Sequence, residues 1–129
     1  MNEMERAGGL ADTPGYRYAE RIGAQLYVAG QVPLDRSGEI LGVGDPVLQA
    51  RACLDNLRLL LNVHSFGEPD IRQLTIYVVG DHANLVLAWK AVSEWFDGNV
   101  PPATLLGVNC LGYQNQLVEI DATVVAETT

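Results

Sequence analysis

The chain has 129 residues and a mass of 14.0 kDa, with 48% hydrophobic and 19% charged residues. Those proportions suit one domain with a packed core and exclude wholesale disorder. Its 16 acidic residues against 8 basic ones give a formal net charge of -8, which repels nucleic-acid phosphate and anionic lipid, so neither is an expected partner.

Two cysteines, Cys53 and Cys110, are too few for a disulfide framework and read as small hydrophobes. The first residues lack the basic start and apolar run of a signal peptide. No apolar segment reaches the ~20 residues a membrane span needs. The cytoplasm is therefore the expected compartment.

Residues 1–13 are polar and contain Gly8 and Gly9, so a loose arm is expected ahead of a single domain at 14–129. Residues 16–22 alternate in character and read as a strand, Gly23-Ala24 as a turn, and residues 25–29 as a second strand. Pro33 then leaves the sheet, because it cannot donate to a ladder. Residues 34–44, with Gly38, Gly42 and Gly44, read as an irregular loop.

Asp45-Pro46 is a helix start: Asp45 can cap, and Pro46 suits the first helical position. Val47, Ala50, Leu54, Leu57 and Leu61 follow as one apolar stripe, with Arg51, Asp55 and Arg58 on the other side. Asn56, beside the stripe, is expected to tie the helix to a loop. Residues 65–69 stop the helix at Gly67. Residues 71–79 read as a strand, with Leu74, Ile76 and Val78 on one face and Ile71, Tyr77 and Val79 on the other. Asp81 can cap a second helix bearing Leu85, Ala88, Trp89, Val92 and Phe96, with Gly98 beyond its end. Trp89 and Trp95 fit core or interface packing. His64 and His82 read as solvated and form no metal-ligand pattern. Residues 101–125 complete the chain as two long strands, taken as a hairpin around Gly112-Tyr113-Gln114-Asn115.

The order β-β-α-β-α-β-β implies an α+β fold, a mixed sheet with two helices on one face. The strand at 71–79 is nevertheless apolar on both faces, which calls for a homo-oligomer joined through the uncovered faces. In the last strand, Val118, Ile120, Ala122 and Val124 are assigned to the helices. Leu117, Glu119, Asp121 and Thr123 face the subunit contact. Glu119 is the odd residue, because glutamate is depleted in strands. It either orients or deprotonates a water during hydrolysis of a C=N bond, or accepts backbone N–H bonds as a structural acid. Tyr16 covers a ligand or is an ordinary half-buried strand tyrosine. No Ser-His-Asp pattern, phosphate loop or nucleotide fingerprint is present, and no cofactor or metal is expected.

These motifs together resemble the RidA/YjgF family of small enamine/imine deaminases over residues 14 to 126. Tyr27-Val28-Ala29-Gly30-Gln31 resembles the family's "vSGQ" turn, Pro101-Pro102-Ala103-Thr104 its "PARt", and Val118-Glu119-Ile120 its "vEIea". Asn56, Gly107-Val108 and Leu111 fall in matching order. The resemblance implies a chorismate-mutase-like fold and a homotrimer with small-molecule sites between subunits. It carries a site tyrosine onto Tyr16, the "VEI" glutamate onto Glu119, the serine of the turn onto Ala29 and the carboxylate-gripping arginine onto Ala103. Tyr16 and Glu119 are then the candidate catalytic residues, and Ala29, Gln31, Ala103 and Cys110 the candidate substrate-binding ones. With alanine at 103, the expected activity is that of a Rid-like hydrolase with an altered substrate rather than of a standard 2-imino acid deaminase. The alternatives are a metabolite-binding module without turnover and a trimeric interaction or chaperone-like protein. Arg17 and Arg21 are the nearest cations in sequence, and both read as surface residues.

Overall fold

Helix α2 (Pro46–Val63) anchors the core in the computed structural model, which describes residues 1–127. The Asp45 carboxylate accepts from the Val47 and Leu48 N–H groups at 3.0 and 3.1 Å, and Pro46 opens the first turn. Ala50, Leu54, Leu57 and Leu61 are buried as one stripe. Asn56 ties the helix to the loop after the first two strands, donating to the Val32 and Leu34 carbonyls at 3.0 Å each. Helix α3 (His82–Trp95) lies alongside and buries Ala88, Ala91 and Val92. Outside that seam, Arg51 pairs with Glu94 and Trp95 Nε1–H donates to Asp55, while the Arg58 guanidinium stacks 4.3 Å from the Trp95 ring centre. Trp89, outside the seam, is 37% exposed.

The two helices cover one face of a five-stranded sheet. Its strands are β1 (Ala19–Ile22), β2 (Gln25–Val28), β3 (Ile71–Val79), β4 (Ala103–Val108) and β5 (Val118–Val125), in the order β1-β2-β5-β3-β4. Only the β3–β4 pair is parallel, so the sheet is mixed and the fold is α+β, as the element order implied. Leu74, Ile76 and Val78 of β3 and Val118, Ile120 and Val124 of β5 face the helices, and none is more than 1% exposed. Burying side chains of this size contributes about 1.5–3 kcal/mol each. Among the described residues no helix is long and apolar enough to cross a membrane.

Several expectations need correction. The last two strands are not a hairpin: β4 pairs with β3 in parallel, and β5 lies on β3's other side. Helix α3 is the crossover that a parallel pair requires. Residues 109–117 then pass the end of β3, where the Val79 N–H donates to the Leu117 carbonyl. The second correction concerns Ile71, which is buried with Leu74. A register shift between Ile71 and Gln73 reverses the alternation at the start of β3.

Third, residues 1–13 are not a loose arm. Helix α1 (Glu3–Ala7) begins with a capping box between Asn2 and Glu5. The second Glu5 carboxylate oxygen sits 2.8 Å from His64 Nε2 at the end of α2, so His64 is paired rather than simply solvated. Leu10 and Tyr18 pack with Leu60, and the Tyr18 hydroxyl donates to the Ala11 carbonyl at 2.7 Å. The first strand is also shorter than expected, beginning at Ala19, which leaves Tyr16 in the segment leading into it.

Candidate functional site

Glu119 lies on β5 opposite Tyr77, on the sheet face away from the helices. Its surroundings follow from how the chain leaves β2. The Gln31 N–H donates to the Ile120 carbonyl at 2.7 Å, and the Ile120 N–H donates back at 3.1 Å. The Gln31 side chain is buried and turns inward to the Ala29 carbonyl at 2.9 Å. This clasp lays Gly30 against the Glu119 carboxylate. A Cβ at residue 30 would stand 2.3 Å from Glu119 Oε2 and 3.0 Å from its Cδ, so any larger residue would displace the carboxylate.

The other carboxylate oxygen is held from the opposite side. Gln116 Nε2–H donates to Glu119 Oε1 and to the Val118 carbonyl, both at 3.1 Å, while Gln116 Oε1 accepts the Tyr113 N–H. Gln49 of α2 fixes the same connection. Its amide donates to the Gly42 and Asn115 carbonyls, and its oxygen accepts the Leu117 and Val118 N–H groups at 2.7 and 3.2 Å.

Pro14 and Tyr16 form the remaining wall. With Ala29, Gly30, Val32, Gly112, Tyr113 and Glu119 they enclose an open cleft of about 520 Å³. Burial, then the neighbouring Tyr113 hydroxyl and the Glu119 charge, push the Tyr16 phenol up to about 12. Tyr16 is therefore a neutral hydrogen-bonding group at ordinary pH. Burial and the two nearby phenols raise Tyr18 as well. Beneath β5, burial and then Glu119 push up the Cys53 thiol, which donates to the Val118 carbonyl at 3.6 Å and is unreactive there. A second groove, of about 600 Å³, lies beside Arg72, Trp95 and Pro102 and contains none of these groups.

The sequence profile described as "Endoribonuclease L-PSP" matches residues 10–126. The chain belongs to this family, the RidA/YjgF proteins. It is 30% identical to a RutC family protein of Pyrococcus horikoshii over 110 residues, 83% of each chain. It is also 30% identical to a RutC family protein of Sulfurisphaera tokodaii over 107 residues, 81% of this chain and 82% of that one. Among solved structures, Escherichia coli TdcF with bound serine superposes with a TM-score of 0.80 at 22% identity, covering 91% and 92% of the two chains. The E. coli YjgF gene product gives 0.79 at 23% identity, with the same coverage. These two likenesses establish the YjgF-like, chorismate-mutase-like fold.

Of the family positions read from the sequence, Tyr16, Ala29 and Glu119 meet in the cleft. Gln31 stands behind it as a brace. Ala103 does not join them within one chain. It pairs with Leu74, whereas Glu119 and Leu106 both pair with Tyr77. Ala103 therefore lies two strands across and three residues along, roughly 14 Å away, with the opposite face parity. Cys110 is exposed in the connection after β4 and does not line the cleft. Arg17 pairs with exposed Glu20 at 3.2 Å. Arg21 donates to the Gly23 carbonyl and stacks 5.1 Å from the Phe66 ring centre. Neither arginine lines the cleft. The sequence reading missed Tyr113, Gln116 and Gln49. An aromatic residue in an otherwise polar turn was the one available signal for Tyr113; the two glutamines carry none.

Proposed function

We propose that the Glu119 cleft is a Rid-type hydrolytic site for a small imine or enamine lacking a carboxylate at the position the family arginine would grip. The supporting observation is the placement of Glu119: both its oxygens are located by Gln116 and Gly30, and its open side faces the cleft beside neutral Tyr16. In this reading Glu119 takes a proton from water as the water oxygen bonds to the imine carbon. Glu119 returns that proton to the imine nitrogen, beside the Tyr16 hydroxyl, and the carbinolamine's hydroxyl proton follows to the nitrogen as the C–N bond breaks. Collapse of the carbinolamine breaks the C–N bond, so one imine and one water give one carbonyl compound and one ammonia.

Alanine at 103 sets the substrate class. A charge-assisted hydrogen bond contributes about 1.5–3 kcal/mol, and arginine grips a carboxylate through two. Loss of that grip costs roughly ten- to hundredfold in affinity for 2-imino acids, together with their orientation. The separation of Ala103 from Glu119 within one chain supports a site completed by a neighbouring subunit. Exposed Ile22, Tyr27 and Leu106 on the uncovered sheet face support assembly, for which the homotrimer is the proposed form. The cytoplasm is the proposed compartment. Ribonuclease action is not adopted, because the charge is -8 and Arg6, Arg17, Arg51 and Arg58 are each paired with carboxylates.

The test follows ammonia release from 2-imino acids generated in situ and from a carboxylate-free imine of similar size. The wild type is expected to prefer the carboxylate-free compound. Ala103→Arg should gain at least about tenfold on the 2-imino acid, and Glu119→Gln should lose both activities. Equal wild-type rates on the two substrates would overturn the reading of Ala103. Full activity in Glu119→Gln would overturn the site.

A further inference from the structure

We infer that the cleft selects a cationic nitrogen, a primary ammonium or protonated imine on a compact apolar or aromatic body, and that Tyr113 is a specificity-determining residue for it. The inference takes its location from the hydrolytic reading above, but its charge argument does not depend on turnover.

Among the side chains lining the cleft, Glu119 is the one carboxylate, Tyr16 and Tyr113 are phenols, and Pro14, Ala29 and Val32 are apolar. Arg17 and Arg21 are engaged elsewhere, as described. A carboxylate ligand would meet Glu119 with no counter-charge from this chain. An ammonium meets the opposite situation. Gln116 satisfies Oε1, and among the described residues no donor reaches Oε2. That oxygen can accept an N–H from a ligand. Tyrosine rings attract cations through their faces, and the hydroxyls accept further N–H bonds. Both phenols are neutral at neutral pH, so the cation meets a single full negative charge, that of Glu119.

Tyr113 is placed for this role by its backbone, because its N–H is tied to Gln116, the same side chain that holds Glu119. The carboxylate and the aromatic ring are therefore positioned by one residue. The Pro14, Ala29 and Val32 surfaces leave the rest of the cleft suited to an apolar body.

The probes are benzylammonium, benzyl alcohol and benzoate, titrated calorimetrically into the intact protein at neutral pH. They share a body and differ in charge. Benzylammonium is expected to bind at least about tenfold more tightly than benzyl alcohol, with benzoate weakest. Glu119→Gln should erase the advantage of the amine over benzyl alcohol. Tyr113→Leu should weaken the amine about three- to tenfold, and Tyr113→Phe should restore most of that loss if the ring face is the attraction. Thermal melts show that each variant is folded.

Benzoate binding as tightly as the amine would overturn the inference. So would amine affinity unmoved by Glu119→Gln, amine affinity unmoved by Tyr113→Leu, or no amine binding up to about 10 mM. If those results came with intact hydrolysis of the carboxylate-free imine, the hydrolytic site would stand without cation selection. Amine binding with no turnover of any imine would do the reverse.

Discussion

Replacing Gly30 with alanine separates the placement of Glu119 from the stability of the fold. Residue 30 has no positive φ, so the substitution introduces no backbone strain. A less flexible unfolded chain stabilises the variant by about 0.4–1 kcal/mol. Against this, the new methyl stands 2.3 Å from Glu119 Oε2, and ordinary contact begins at 3.4 Å. The carboxylate must retreat by the difference, 3.4 − 2.3 = 1.1 Å. Gln116, already 3.1 Å from Oε1 on the opposite side, blocks a straight retreat, so the carboxylate must turn aside and gives up that hydrogen bond. An off-rotamer glutamate costs about 0.5–1.5 kcal/mol and the lost hydrogen bond about 1. The carboxylate is the far end of a flexible side chain, so the net loss of stability should be about 1 kcal/mol. Hydrolysis and benzylammonium affinity should each fall tenfold or more, because the displaced group is the one proposed to act. Urea denaturation gives the first quantity, and ammonia release with calorimetry gives the second. Wild-type rate and affinity in G30A would show that the position of Glu119 is immaterial. A stability loss above about 3 kcal/mol would mark Gly30 as a core-packing residue instead.

Two further predictions concern the Tyr16 wall of the site and the attachment of α1. The folded-state pKa of Tyr16 is raised from 10.0 to about 12, so its contribution to stability is complete below pH 10 and is lost as pH rises through 12. Stability of Tyr16→Phe should fall less steeply than wild type across that window, and the phenolate absorbance missing from the variant should be one that appears near 12. A missing step near 10 would contradict the burial of the phenol. His64→Ala leaves the buried Glu5 carboxylate with only its Asn2 N–H partner, costing about 1–3 kcal/mol in urea denaturation. Amide exchange in residues 3–7 should accelerate more than in β3 or β5. Equal protection in variant and wild type would show that the pair does not hold α1.

The sequence made the covered face of the sheet legible because alternation and helical spacing are local. Val118, Ile120 and Val124 fell on the helix side, and the Asp45-Pro46 start fell at the helix terminus. Strand neighbours are not local. Glycine and polar residues at 112–115 look the same in a tight hairpin and in a connection that passes around β3. Which occurs is decided by α3, whose crossover seats β4 on one side of β3 and leaves β5 the other. The Ile71 bulge was hidden for a related reason, since parity cannot register one extra residue. At the N-terminus a signal was present in Asn2 and Glu5, three residues apart, but the carboxylate partner His64 lies 59 positions away. The site divided the same way. Tyr16 and Glu119 were readable by type and resemblance, whereas Gln116 acts through an amide that composition cannot distinguish from a solvated one.

Those glutamines bear on why a cleft without the family arginine can keep an ordered acid. In a site organised around an ion pair, removing the cation frees the carboxylate to follow solvent. Glu119 is not held that way here. Gln49, fully buried, uses two donors and two acceptor positions on the backbone at residues 42, 115, 117 and 118, so the start of β5 is fixed to α2. Gln116, 3% exposed, connects the Tyr113 backbone to the carboxylate itself. Gly30 closes the remaining side through the Gln31–Ile120 clasp. Each restraint comes from neutral groups satisfied within the protein, and the cost of leaving any of them unpaired, about 1–3 kcal/mol, keeps the set together. Position 103 is then free to change substrate charge without loosening the acid, because the restraints on Glu119 and the location of Ala103 share no residue.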